Sequence, residues 1–152
     1  MHDWPERALV VTAVDAESGE FRTFDRDSGV PLPLAVAASC AVPGVWPPVT
    51  IDGRRYMDGG FRSGSNADLA AGYERIVVLS PLPRGMGPMT SVRVQVEALR
   101  ARSRVELVSP DRAALAAIGR NVLDPAKRAD SARAGLAQSE SVLARIRSVW
   151  ND

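Results

Sequence analysis

The sequence predicts an α/β fold with a mainly parallel sheet, and three observations carry that expectation. Ala8-Leu-Val-Val-Thr-Ala-Val14 and Arg75-Ile-Val-Val-Leu79 are β-branched apolar runs of the kind found in strands buried on both faces. Arg104-Val-Glu-Leu-Val-Ser109 is a third strand candidate, and helical stretches separate it from the other two. Strands alternating with helices build parallel sheets. The 152 residues contain no internal repeat, low-complexity tract or interdomain linker, so residues 1–152 are expected to lie in one domain.

Element by element, the chain opens with the Ala8–Val14 run, and Asp15 to Gly19 supplies turn chemistry after it. Glu20 to Asp25 places Phe21 and Phe24 among polar residues as a short partner strand. Leu32 to Cys40 is Ala-rich and helical in character, ending before Pro43-Gly44. Pro47-Pro48 cannot continue a helix and sets an extended connection. Val49-Thr-Ile51 and Arg54-Arg-Tyr-Met57 flank Asp52-Gly53, a strong hairpin signal. Asn66 to Gly72 reads as a short helix with an Asn start and a Gly stop. After the Arg75–Leu79 strand come a Pro/Gly-rich loop from Pro81 to Met89, a helix over Val92–Arg102 and the Arg104–Ser109 strand. Ser109-Pro110 places a cap and a first-turn proline before a helix over Asp111–Ile118, closed by Gly119. Asp124-Pro125 repeats that device and opens a long helix, whose apolar stripe of Leu136, Leu143, Ile146 and Trp150 is expected to be core or a surface for a further part of the protein.

Composition narrows the function classes. Hydrophobic residues at 45% and charged residues at 24% are ordinary for a globular protein. Nineteen Lys+Arg against 18 Asp+Glu give a formal charge of +1, which offers no general attraction for nucleic acid or an anionic membrane. Cys40, the sole cysteine, excludes an intrachain disulfide and a cysteine-based metal site, and is expected to be a small buried thiol. His2, the sole histidine, sits at the start of the chain, so a histidine-dependent triad is not expected from these residues. No basic-then-apolar leader and no 18-residue apolar run is present, from which a cytoplasmic location is expected.

The chemistry concentrates between Ala38 and Gly60. There Ala-Ser-Cys-Ala-Val-Pro-Gly forms a small-residue turn, Pro47-Pro48 a stop, Asp52-Gly53 a hairpin, and Asp58-Gly59-Gly60 a loop at the end of a strand. A carboxylate at that position stands where α/β sheets bind ligands, and the glycines permit close backbone approach. Taken alone, Asp-Gly-Gly is better explained by a plain turn.

The order of these four elements closely resembles the segment carrying the catalytic aspartate of patatin-like phospholipases, which are serine lipid acyl hydrolases. Arg62-Ser-Gly-Ser-Asn-Ala-Asp-Leu-Ala70 and Gly119-Arg-Asn-Val-Leu-Asp-Pro125 resemble segments of bacterial members, although Ala67 stands where other branches carry proline. The resemblance is specific from about Ala8 to Pro81. It implies a three-layer α/β/α sandwich and a Ser-Asp dyad, with Asp58 as general base and Gly59 and Gly60 supporting its loop. It implies no cofactor and no metal, a lipid or other acyl ester as substrate, and a peripheral membrane contact at most.

The family's glycine-rich oxyanion loop and Gly-x-Ser-x-Gly elbow normally precede this segment, and no serine here has glycine two before and two after it. The chain is therefore expected to be the C-terminal part of such a domain, with the N-terminal portion missing, to be inactive alone and to self-associate. Ser39, Ser63 and Ser65 read as cap or turn residues. Trp46 is a candidate wall of an acyl pocket or a packing residue, and Arg62 a candidate contact for a lipid phosphate or a solvated loop residue. The alternative reading is a non-catalytic α/β module for binding or assembly. Acyl transfer to an acceptor other than water is not separated from hydrolysis by these residues.

Overall fold

Two short turns decide the topology of the first half of the chain. In the computed structural model, which describes residues 3–82 and 90–151, β1 (Val11–Asp15) and β2 (Phe21–Phe24) are joined by a tight turn. The Asp15 carboxylate holds that turn, accepting the amides of Glu17 at 2.9 Å and Ser18 at 3.0 Å. β3 (Val49–Ile51) and β4 (Arg54–Asp58) are joined by Asp52-Gly53, with φ of 50° and 78°, the left-handed pair that a two-residue hairpin demands. Connections this short can only join antiparallel neighbours. The sheet runs β2-β1-β4-β3 and every pairing in it is antiparallel.

The expectation of a mainly parallel sheet is therefore corrected for this half. The apolar run from Ala8 is in a central strand covered on both faces, which leaves the same sequence signature as a parallel strand. The strand also begins later than expected, and Leu9 and Val10 are exposed. On one face Ala13, Phe24, Ile51 and Tyr56 pack with Val30, Ala35 and Ala38, the last two from helix α1 (Leu32–Ser39). Alanines on the inner side of α1 let the helix lie close to the sheet. Phe24 and Tyr56 meet edge to face, 5.4 Å between centroids. The Trp4 indole donates to the Val30 carbonyl at 2.8 Å, fastening the N-terminal segment to the same core.

The second half is built on a parallel pair. β5 (Arg75–Leu79) and β6 (Arg104–Val108) align from Arg75↔Arg104 to Leu79↔Val108. Helix α2 (Val92–Arg100) lies between them in sequence, and its Val92, Val96 and Leu99 pack on Ile76, Val78 and Val105. Ser91 caps α2. Asp111, not Ser109, caps α3 (Arg112–Ile118), because its carboxylate reaches the Ala114 amide at 2.8 Å. Asp124 caps a short 3₁₀ turn, Pro125–Lys127, that leads into α4 (Arg128–Asn151). Arg145 of α4 pairs with Glu106 of β6 at 2.9 Å. The segment Asn66 to Gly72, expected as a helix, is a 3₁₀ turn over Ala67–Ala70. Buried Gln95 anchors it, accepting the Ala67 amide at 3.2 Å and donating to Asp68 Oδ1 at 2.7 Å.

The architecture is mixed α/β, with one antiparallel and one parallel sheet among the described residues. Among the described residues the chain forms two compact units, the first of residues 3–66 with Thr90 and the second of residues 67–82 and 91–151. His2 and most of the Pro81–Met89 loop lie outside the described residues. No helix among the described residues is long and apolar enough to cross a membrane.

Candidate active site

Asp58 is the last residue of β4, a position fixed from both sides. It pairs with Ala13 of the central strand, and its amide donates to the Ala41 carbonyl at 3.1 Å, tying it to the turn that follows α1. Residues directly opposite across a sheet share a face. Asp58 therefore shares the α1 face with Ala13. Its side chain is half-buried. Oδ1 accepts the Gly60 amide at 2.7 Å, while Oδ2 has no hydrogen-bond partner among the described residues. One oxygen is held by the backbone and the other is left available.

The two glycines after Asp58 have different reasons to be glycine. At Gly59 a Cβ would run into the Thr12 side-chain oxygen and lie 2.6 Å from the Thr12 carbonyl oxygen, so the loop touches the central strand backbone to backbone. At Gly60 a Cβ would sit 2.9 Å from Asp58 Oδ1, against the carboxylate itself. Gly59 lets the chain turn over the strand, and Gly60 leaves room for the carboxylate.

The loop then folds across the face opposite α1, where Val14, Phe21 and Met57 lie. The Arg62 guanidinium stands over the Phe21 ring, 4.2 Å from its centroid, and donates to Asn66 Oδ1 at 3.0 Å. Asn66 Nδ2 donates to the Gly59 carbonyl at 3.0 Å and approaches Thr12 Oγ1 at 3.4 Å. The Asn66 amide donates to Ser63 Oγ at 3.1 Å, and Asn66 itself adopts φ of 45°. Asn66 is 9% exposed and Ser63 1%. Asparagine fits here because it tolerates the left-handed conformation and carries both a donor and an acceptor.

Asp58, Gly59 and Gly60 thus come together with Asn66, whose positioning role the sequence reading missed by treating it as a helix start. The signal was present in the residue type, since Asn is among the few side chains at home with positive φ. Arg62 is turned toward Phe21 and Asn66 within the first unit. Trp46 is 63% exposed, so it packs no wall within the described residues. Its loop begins with Ala41, the residue that holds the Asp58 amide. Cys40 is exposed at the end of α1, correcting the expectation of a buried thiol, because α1 turns only Ala35 and Ala38 inward. Ser39 is half-buried one residue earlier. No group of three or more metal-ligating side chains occurs among the described residues.

No curated protein matches the chain. Residues 2–71, just under half of the chain, match the family model described as Patatin-like phospholipase, and this segment, hairpin and Asp58 loop included, is similar to that family of lipid hydrolases.

Proposed function

We propose that Asp58 is the general base of a Ser-Asp dyad in a lipid acyl ester hydrolase, working with a nucleophilic serine from residues outside the 152 given. The observation that carries this reading is the Asp58 carboxylate, with Oδ1 fixed by the Gly60 amide and Oδ2 without a partner among the described residues. Asp25 also closes its turn with one oxygen, but it is exposed, whereas Asp58 stands half-buried at the end of a sheet strand with its amide held by the Ala41 carbonyl.

In the reaction, Asp58 Oδ2 takes the serine hydroxyl proton as the serine oxygen attacks the ester carbonyl carbon. The carbonyl electron pair moves to oxygen, then returns and expels the alcohol, which leaves with the proton from Asp58. An acyl-serine remains. A water then attacks it, again giving its proton to Asp58, and collapse releases the fatty acid and restores the serine hydroxyl. The glycine-rich backbone that would hold the oxyanion belongs, like the serine, to the preceding part of the three-layer domain. No metal or cofactor enters any step.

The coding sequence upstream of Met1 is expected to encode Gly-x-Ser-x-Gly, and the polypeptide containing both segments to release acyl groups from a chromogenic ester. In that polypeptide Asp58→Asn is expected to lower the rate by about 10²–10⁴-fold, the range of general-base catalysis, with little change in thermal midpoint. Asn preserves shape and can keep the loop in place, yet cannot accept the proton. A native start at Met1 would favour a non-catalytic module. A folded Asp58→Asn protein keeping more than about a tenth of parental activity would remove Asp58 from the dyad.

A further inference from the structure

Helix α4 spans 24 residues and buries one side only. Val142 is 6% exposed on that side, where Ser131, Gly135, Gln138 and Ile146 face the ends of β5 and β6 and helix α3. A quarter-turn around the helix, Leu136, Leu143 and Trp150 are 74%, 44% and 56% exposed. They recur every seven residues, the period at which one helix meets another along a seam. Three large apolar side chains in one row stand uncovered among the described residues.

The charges beside the row say what covers it. Glu140 and Arg147 lie on the same flank of the seam, both exposed, and neither forms an ion pair among the described residues. Their seven-residue separation, about 10.5 Å along the axis, is too long for pairing within one helix. We propose that α4 pairs with α4 of a second copy of this chain, antiparallel and two-fold symmetric about Leu143. In that register Leu143 meets its own copy and Leu136 lies opposite the partner's Trp150. Glu140 lies within one residue's rise, about 1.5 Å along the axis, of the partner's Arg147, and symmetry forms the pair twice. In a parallel two-fold pairing the flanks carrying Glu140 and Arg147 would lie on opposite sides of the seam and would not meet. The alternation of sign along the flank selects the antiparallel arrangement.

Light scattering after size exclusion of the 152-residue chain, over a concentration series, is expected to show a monomer–dimer equilibrium. Glu140→Arg or Arg147→Glu alone places like charges together at both symmetric pairs and is expected to weaken the dimer about tenfold. The double exchange, Glu140→Arg with Arg147→Glu, is expected to restore it, and Leu143→Glu to leave a monomer with unchanged circular dichroism. Restoration by the double exchange is a result that mere loss of folding cannot give. A monomer at every concentration overturns the proposal, as does a dimer indifferent to Leu143→Glu or a double exchange no better than either single one. Binding of the monomer to phosphatidylcholine vesicles, lost in Leu143→Glu, would assign the row to a lipid surface and overturn it equally.

Discussion

Replacing Gly59 by alanine tests whether the Asp58 loop is held by backbone contact with the central strand. The added Cβ would collide with Thr12 Oγ1 and lie 2.6 Å and 2.7 Å from the Thr12 carbonyl oxygen and carbon. The Thr12 hydroxyl can rotate away, but the carbonyl belongs to β1, which is hydrogen-bonded to β2 on one side and β4 on the other. Overpacking against atoms that cannot move costs toward the upper end of the usual range, about 2–3 kcal/mol. In a unit of this size, each kcal/mol lowers the midpoint by about 4–8 °C, so Gly59→Ala is expected to melt at least 8 °C lower. Circular dichroism melts of the 152-residue chain measure this, with Gly60→Ala as the control. At Gly60 the new Cβ meets only the Asp58 carboxylate, which can swing aside. Its midpoint is expected to stay within about 3 °C of the parent, while the Gly60–Asp58 hydrogen bond is lost. A Gly59→Ala midpoint within about 2 °C of the parent would show that the loop does not rest on β1.

Asn66→Ala leaves the Gly59 carbonyl without its donor and puts alanine at φ of 45°, at a joint cost of about 2–4 kcal/mol, whereas Asn66→Gly removes the donor alone and is expected to melt between that variant and the parent. The Ser18 amide, then the Glu17 amide and the Arg54 guanidinium, hold the Asp15 carboxyl below the usual 3.8 against the opposing effect of burial. The ionised form therefore adds stability above that value, and the addition disappears as pH falls through the folded pKa. Asp15→Asn is expected to flatten the fall in midpoint below about pH 4, seen in melts across an acid series. The 152-residue chain by itself is expected to give no saturable turnover of a chromogenic ester, because a base without nucleophile and oxyanion donors stabilises little of the transition state. Turnover that survives Asp58→Ala would place the chemistry elsewhere.

Local signals were legible where the chemistry is local. The Arg75–Leu79 strand appears at its expected bounds, and Asp52-Gly53 forms the hairpin that its residues demand. The same hairpin delivers Asp58 to the end of a strand, as the Asp-Gly-Gly spacing suggested. Strand direction was not legible, because covering β1 from both sides makes an antiparallel strand look parallel in sequence. The long helix shows a similar limit. Periodicity reveals apolar rows on α4, but two rows fit, and only packing decides that Val142 goes inward while Leu136, Leu143 and Trp150 stay outside. The Asn66 bridge to Gly59 spans a loop whose path no local pattern encodes.

Contacts that hold the Asp58 loop reach Thr12, Ala13, Ala41 and Asn66, which lie in the first 66 residues. Local opening in a protein proceeds in cooperative blocks, each with its own free energy. The Gly60 amide, bound to the carboxylate, is therefore expected to exchange with the opening of the strands that carry Ala13 and Tyr56. A carboxylate held this way is set in place by the backbone around it.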